Sequence, residues 1–150
     1  MMAEFESQTE LKCPVLALRE FLLRPANLPQ ISDPDLQLEI LNAPAVISEG
    51  DEIEFRITAY GFKQRMRHRY VEVAEAQIIA EQIEGPARSW RHTQHMQAGD
   101  DLSICSLTDR VLFEPPGGML GFVMTEARIR ESLRDGMDVR YETLRELLED

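Results

Sequence analysis

Apolar and polar side chains alternate with a period of two over much of the chain. The clearest case is the segment 52–59, where Ile53, Phe55, Ile57 and Ala59 alternate with charged and polar residues. Successive side chains of a β-strand point to opposite faces, so this pattern predicts a strand with one buried face. The same period predicts six further strands, at 5–13, 36–40, 63–70, 78–83, 87–97 and 102–113.

Helical patterns interrupt and follow these strands. Residues 14–24 predict a short apolar helix with Pro14 in its first turn, and the Pro-rich segment 25–34 allows one or two more helical turns. Proline and glycine at 115–118 end the last strand. Beyond them, apolar residues recur at steps of three, four or seven and predict one long amphipathic helix. Its apolar stripe contains Phe122, Ile129, Leu133, Met137, Leu144 and Leu148.

The order of these elements predicts an α+β fold. Short strands joined by tight turns favour antiparallel pairing, which gives a seven-stranded antiparallel sheet with two short helices between strands 1 and 2. The long C-terminal helix must bury its apolar stripe against one face of that sheet. Gly136 interrupts this helix at a cost of about 1 kcal/mol relative to Ala. It marks either a bend or close approach to the sheet, or a glycine that the helix tolerates.

Composition and charge narrow the class of protein. The 150 residues predict a single domain spanning 1–150, and the net charge of −11 makes nucleic acid and anionic membrane surfaces improbable partners. The sequence contains no run of 18 apolar residues, so it predicts no membrane span, and the acidic N-terminus does not resemble a signal peptide. Cys13 and Cys105 fit buried free thiols of a cytoplasmic protein, although the sequence alone leaves a disulfide open.

The strand at 87–97 carries the most unusual side chains. Trp90, His92, Gln94 and Met96 share one face, and the alternation places Arg88 with them. A large aromatic ring, an imidazole, an amide and a thioether on one face are typical of the wall of a ligand cavity.

Two residues of this region could carry chemistry. His92 could bind a ligand from the cavity wall, act as a general acid or base, or be a structural buried histidine. Asp109 lies on the next strand among apolar neighbours, where a buried carboxylate needs a partner. His92 or Arg88 could supply that partner, and the pair could equally be structural.

The strand at 63–70 has one basic and one mixed face. Lys63, Arg65, Arg67 and Arg69 form the basic face, which Glu52 and Glu54 can neutralise as cross-strand pairs. The other face is the better candidate to point inward. It carries Gln64, Met66, His68 and Tyr70. Tyr70 could donate a hydrogen bond to a ligand or serve as a core aromatic.

Metal binding is not indicated. His92 and His95 have a spacing that suits a helix face, but on a strand the two rings point to opposite sides. No third histidine or cysteine lies nearby, so we expect neither a metal nor another cofactor.

The order of elements resembles the helix-grip fold of the START-like (SRPBCC) superfamily, and specifically its bacterial polyketide cyclase/dehydrase-like ligand-binding branch. The segments that carry the likeness are 25–29, 47–51, 81–86, 90–93, 108–111 and 116–121. The resemblance implies a curved sheet gripping the C-terminal helix around an internal cavity. Gln94 and Met96 depart from the family pattern, in which a second inward histidine or aromatic often follows the Trp-x-His strand.

We therefore expect a non-enzymatic protein that binds a small hydrophobic or aromatic molecule. The ligand would enter between the long helix and the loops near Gly61 and 84–86. The predicted ligand-binding residues are Phe55, Ile57, His68, Tyr70, Gln82, Trp90, His92, Met96 and Asp109. The alternatives are a polyketide-type cyclase or dehydratase that transfers protons through His92 and Asp109, and an interaction module with a vestigial cavity. A homodimer is compatible with the sequence.

Overall fold

The alternating segments form one seven-stranded antiparallel sheet in the computed structural model, which describes residues 2–149. Its strands are β1 (Ala3–Leu11), β2 (Glu39–Asn42), β3 (Glu52–Ala59), β4 (Phe62–Val73), β5 (Gln77–Glu84), β6 (Ser89–Ala98) and β7 (Cys105–Glu114). Their spatial order is β1-β7-β6-β5-β4-β3-β2, so the first strand closes onto the last and every other neighbour is sequential. The predicted antiparallel sheet is confirmed.

Within the described residues, two α-helices and three short 3₁₀ helices complete the fold. The α-helices are α1 (Val15–Leu22) and α2 (Glu126–Leu148), and the 3₁₀ helices are Pro25–Ile31, Pro34–Leu36 and Gly118–Phe122. Pro14 precedes α1 in extended conformation and is its N-cap, not part of its first turn. One face of α1 is buried through Leu18 and Leu22, whereas Leu16 is exposed.

The long helix begins later than its apolar spacing predicts. Thr125 caps it by accepting a hydrogen bond from the Arg128 amide at 3.3 Å. Phe122 lies before this cap in a 3₁₀ helix and is 83% exposed, so its inclusion in the apolar stripe was wrong. The stripe begins instead at Ile129 and continues through Met137 and Leu144.

The last strand also begins later than predicted. Residues 101–103 form a turn in which the Asp101 carboxylate accepts hydrogen bonds from the Ser103 amide and hydroxyl at 2.9 and 2.7 Å. An aspartate that bonds its own backbone two residues on stabilises a turn against a strand. The alternation therefore starts at Cys105, which pairs with Leu11 of β1.

Helix α2 is attached to the edge strand β1 at both ends. Arg130 donates to the Glu4 carbonyl at 2.7 Å, and the Lys12 amide donates to the Glu149 carboxylate at 2.8 Å. The helix also packs against the first 3₁₀ helix. These contacts hold α2 across the sheet face and fix the space between them.

The interior holds both cysteines and a large apolar core. Cys13 and Cys105 are free thiols whose Sγ atoms lie 3.9 Å apart. Burial raises the pKa of both thiols, to about 12 for Cys105.

Among residues 2–149, no helix has the length and apolar character that crossing a membrane requires.

Candidate functional site

A pocket of about 310 Å³ lies between the sheet and α2. Apolar side chains such as Phe55, Ile57 and Met66 line the sheet side, while Leu133 and Met137 line the helix side. The volume lies at the lower end of the range found for small-molecule sites in proteins.

Seven of the nine predicted ligand-binding residues line this pocket, and they come from four neighbouring strands. They are Phe55, Ile57, His68, Tyr70, Gln82, Trp90 and His92. Strand pairing explains the grouping, because Phe55 lies opposite Met66, His68 opposite Gln82, and Ala80 opposite His92. Met96 and Asp109 do not line the pocket.

Met96 shares the inward face of β6 but lies in the core. Its side chain is 1% exposed and belongs to the main apolar cluster, together with Leu18 and Leu22 of α1. Helix α1 packs on β6, which accounts for the burial of Met96. The alternation thus predicts the face of Met96 correctly but not what covers that face.

Asp109 lies behind the pocket wall and is fully buried. Its Oδ1 atom is 2.7 Å from His92 Nε2 and 3.1 Å from Arg140 Nη2, while Oδ2 accepts from Arg140 Nε at 3.2 Å and Tyr141 Oη at 2.9 Å. Gln94 Oε1 accepts a further bond from Arg140 Nη2 at 2.6 Å. We call Asp109, Arg140, Tyr141, His92 and Gln94 the buried polar network.

The network keeps the Asp109 carboxylate ionised. Burial by itself raises the pKa of Asp109, but Arg140, His92 and Tyr141 together hold that pKa at about 2. Burial and the adjacent Asp109 carboxylate raise the pKa of Tyr141, which therefore remains a hydrogen-bond donor. The Arg140 guanidinium neutralises the Asp109 carboxylate, and His92 and Tyr141 hydrogen-bond to the same carboxylate oxygens, as a buried carboxylate requires.

Of the two partners predicted for Asp109, His92 is present and Arg88 is not. Arg88 precedes β6, which begins at Ser89, so the strand alternation does not extend to it. Its side chain is exposed, and its Nη1 atom lies 3.8 Å from Glu114 Oε1. Placing Arg88 on the inward face was therefore wrong.

Arg140 and Tyr141 are the members of the buried polar network that sequence reasoning missed. They follow Met137 by three and four residues and precede Leu144 by four and three, which is the spacing of the apolar stripe itself. An arginine within an apolar stripe signals a buried partner, and Asp109 among apolar neighbours is the matching signal. Leu28 and Ile31 of the first 3₁₀ helix also line the pocket without having been predicted.

Two titratable groups of the pocket are uncharged near neutral pH. Burial, with a smaller effect of His92, lowers the pKa of His68 to about 4, and burial raises the pKa of Tyr70 to about 12. The His68 ring packs edge-on against Phe55, with ring centroids 4.9 Å apart. The pocket therefore offers a neutral imidazole and a protonated phenol.

The basic face of β4 points away from the pocket and is paired with acidic residues. Arg65 lies 2.6 Å from Glu54, and Arg69 lies 2.7 Å from Glu52. Arg67 lies 3.3 Å from Glu84. Glu54 and Glu52 thus pair with Arg65 and Arg69 as the sequence predicts, whereas Arg67 lies closer to Glu84 of β5 than to Glu52.

Comparison with known proteins identifies the fold. No protein-family model matches the sequence, and no curated protein sequence matches it. Among solved structures, a START superfamily protein from Mycobacterium smegmatis superposes with a TM-score of 0.74 at 11% identity, with 97% of each chain covered. The chain has the START-like helix-grip fold. The predicted fold is thereby confirmed.

Two further solved structures share the helix-grip fold. Major latex-like protein 151 from Panax ginseng gives a TM-score of 0.73 at 12% identity, covering 100% of this chain and 99% of that one. A protein from Chromobacterium violaceum gives a TM-score of 0.75 at 16% identity, with 98% of each chain covered. The likeness extends over almost the whole of each chain, and at these identities it concerns the fold alone.

In this helix-grip protein, one hydrogen bond spans the side of the pocket where the β3–β4 turn meets α2. Tyr60 Oη and Ser132 Oγ lie 3.0 Å apart, and both residues line the pocket. Tyr60 and Gly61 have φ angles of 54° and 79°, so this tight turn places two successive residues in left-handed conformations. The bond lies where the sequence predicts that a ligand enters, beside Gly61.

Proposed function

We propose that this protein binds a small, uncharged molecule with an apolar or aromatic body in the pocket, without transforming it. The observation that carries the proposal is the pocket itself, about 310 Å³ enclosed mainly by apolar side chains. Aromatic and aliphatic walls with a few polar groups are typical of small-molecule sites. The helix-grip fold is consistent with this function but does not select a ligand.

The charge distribution favours an uncharged ligand. Arg140 lines the pocket, but its guanidinium is neutralised by Asp109 at 3.1 and 3.2 Å. His68 is neutral because burial holds its pKa at about 4. An anionic ligand would lose its hydration without gaining an unpaired cationic side chain, and a cationic ligand would meet only the half-buried Asp33 carboxylate, which already accepts from the Asp35 amide, so binding of a charged molecule is costly.

The rival function is an enzyme that uses His92 for proton transfer. His92 favours it, since the ring lines the pocket and is oriented by Asp109 through Nε2 at 2.7 Å. Proton transfer by Asp109 is disfavoured because the carboxylate is fully buried, accepts four hydrogen bonds and has a pKa of about 2. In an enzyme, Asp109 would therefore be a positioning residue and His92 the catalytic one.

The chain's single tryptophan gives a direct test of binding. Trp90 lines the pocket, so its fluorescence should respond when an uncharged naphthalene dye, N-phenylnaphthylamine, binds. Gly136 also lines the pocket, and a Cβ added there meets no atom within 4 Å. Gly136→Leu should therefore fold and weaken dye binding at least tenfold by occupying the pocket.

Ala127→Leu is the matched control, because Ala127 lies on the exposed face of the same helix. It should leave the dye affinity unchanged. Failure of the wild-type protein to bind the dye would favour an interaction module over a ligand carrier. Equal dye affinity in wild type and Gly136→Leu would place binding outside the pocket.

His92→Gln separates the binder from the enzyme. Glutamine retains a hydrogen-bonding group, so a binder should change affinity by about fivefold or less, near the worth of one hydrogen bond. In an enzyme, the same change should lower turnover by about 10²–10⁴-fold while binding is retained. A loss of that size, once a converted substrate is found, would overturn the proposed function.

A further inference from the structure

Three buried polar atoms in the pocket wall have no hydrogen-bond partner among residues 2–149. They are Gln64 Oε1, His68 Nε2 and Gln82 Oε1. Gln64 is only 9% exposed, so its carbonyl oxygen is shielded from bulk water. Buried polar atoms are nearly always satisfied in folded proteins, so an unpaired set on side chains that line one pocket calls for a partner that satisfies it.

Two of these atoms are obligate acceptors. The Gln82 amide nitrogen donates to the Ala87 carbonyl at 2.7 Å, and the Gln64 amide nitrogen donates to the Ala59 carbonyl at 3.3 Å. These bonds orient both amides and leave each oxygen to accept. His68 is neutral, since burial lowers its pKa to about 4, and its Nε2 atom accepts or donates according to the tautomer.

The three atoms form two polar points separated by an apolar stretch. His68 and Gln82 are cross-strand partners and form one point. Gln64 forms the other, four residues earlier on β4 and roughly 13 Å along the strand at about 3.3 Å per residue. Met66 lies between them on the same face, opposite Phe55 of β3. The side chains that line this wall thus carry an unpaired acceptor at each end of an apolar span, and a ligand reaches the Gln82 oxygen once that side chain turns away from Gly85.

We propose that the ligand is an elongated, uncharged molecule with a hydrogen-bond donor, such as a hydroxyl or N–H group, at each end of an apolar body. The donors are roughly 1 nm apart, because acceptors roughly 13 Å apart are each reached through a hydrogen bond of about 2.8 Å. This proposal rests on the proposed function and adds the polar chemistry of the ligand to it. A carboxylate offers only acceptor oxygens and would oppose Gln64 and Gln82.

A matched series of biphenyls tests the donor requirement. The probes are a biphenol with one hydroxyl at each far end of its two rings, its monomethyl and dimethyl ethers, and the corresponding dicarboxylate. Trp90 fluorescence reports the affinity of each. Each lost donor should weaken binding roughly fivefold, so the dimethyl ether should bind about 25-fold more weakly than the biphenol. The dicarboxylate should bind no better than the dimethyl ether.

The variants Gln64→Met and Gln97→Met test whether Gln64 causes the preference for biphenol over its dimethyl ether. Gln64→Met replaces one acceptor by an apolar side chain of similar length and should reduce the preference for biphenol over dimethyl ether to about fivefold. Gln97 is exposed on the same sheet, so Gln97→Met should retain the full preference. Thermal unfolding of both variants establishes that they remain folded.

The outcomes separate this proposal from the proposed function. Equal binding of biphenol and its dimethyl ether, or the tightest binding by the dicarboxylate, overturns the donor requirement and leaves a binder of apolar molecules. An unchanged preference in Gln64→Met also overturns it. If none of the four probes and no naphthalene dye binds, the proposed function and the donor requirement fail together.

Discussion

Asp109 of β7 and Arg140 of α2 meet in the interior as a two-point ion pair, with Arg140 Nη2 3.1 Å from Oδ1 and Arg140 Nε 3.2 Å from Oδ2. The pair joins the sheet to the long helix directly behind the pocket wall. Asp109 is fully buried and Arg140 is 8% exposed, so neither charge can be solvated if the other is removed. The pair therefore fixes the position of α2 relative to the sheet.

Removing Arg140 should destabilise the protein strongly. Arg140→Met keeps much of the side-chain volume but leaves the Asp109 carboxylate buried without a counter-charge, which typically costs about 3–5 kcal/mol. The free energy of unfolding, measured in urea, gives the loss. Adding Asp109→Asn to Arg140→Met should recover part of it, because the uncompensated charge is then absent.

Arg134→Met is the control for this experiment. Arg134 lies on the exposed face of the same helix, so its substitution should change the free energy of unfolding by less than about 0.5 kcal/mol. An Arg140→Met variant as stable as Arg134→Met would show that the ion pair is not needed to hold α2.

The strands could be predicted from the sequence because one face of each is buried. Over residues 52–59 and 63–70 the period of two is regular, and the inward residues Phe55, Ile57, His68 and Tyr70 follow from it directly. Strand pairing then brings these side chains together without further information. Where a helix starts depends on its cap and on local turns. The apolar period alone therefore placed Phe122 in the long helix, although it lies before the Thr125 cap.

The buried polar network could be predicted only in part. Asp109 and His92 lie on neighbouring strands whose inward faces are known, so their proximity was expected. Arg140 comes from a helix, and its rotation and depth over the sheet depend on packing that no periodicity describes. A charged residue is usually placed on the solvent face of an amphipathic helix, and this rule concealed Arg140.

A charged residue introduced on α2 should reduce the free energy of unfolding less beside the pocket than in the core. Leu144 is 0% exposed, so Leu144→Asp should cost on the order of 4 kcal/mol or more and prevent folding. Leu133 is half-buried and lines the pocket, so Leu133→Asp should cost only about 1–2 kcal/mol. Circular dichroism and urea unfolding compare the two. Equal losses would contradict the placement of Leu133 beside the pocket.

Stability should fall in mild acid because of His68. Burial lowers the pKa of His68 from 6.5 to about 4, so below pH 6.5 the unfolded chain binds a proton that the folded chain does not. The effect is absent above that pH and grows until the pH reaches about 4. Between about pH 7 and pH 5 the free energy of unfolding should decrease by about 2 kcal/mol through this group.

Substitutions of His68 and His95 test whether His68 causes this decrease in the free energy of unfolding. His68→Gln removes the titrating ring and should lessen the pH-dependent loss by that amount, whereas His95→Gln, at an exposed position, should leave the loss unchanged. Urea unfolding at the two pH values provides the measurement. The Asp109 contribution is lost only as the pH falls from 3.8, its ordinary pKa, towards its folded pKa of about 2, so this carboxylate does not contribute in the chosen window. An identical loss in wild type and His68→Gln would mean that His68 is not held neutral.

We expect that the helix does not need glycine at position 136 and that the glycine instead leaves space in the pocket. A Cβ placed at Gly136 meets no atom within 4 Å, so no close approach to the sheet requires a glycine there. Gly136→Ala should therefore raise the free energy of unfolding by up to about 1 kcal/mol, the usual helix preference for alanine. Gly50→Ala is the matched contrast, because Gly50 has a φ of 91° in a turn and should lose stability instead. Thermal unfolding of the two variants should shift in opposite directions. A destabilised Gly136→Ala would mean that the helix itself requires glycine at this position, and the pocket would then not be the reason for it.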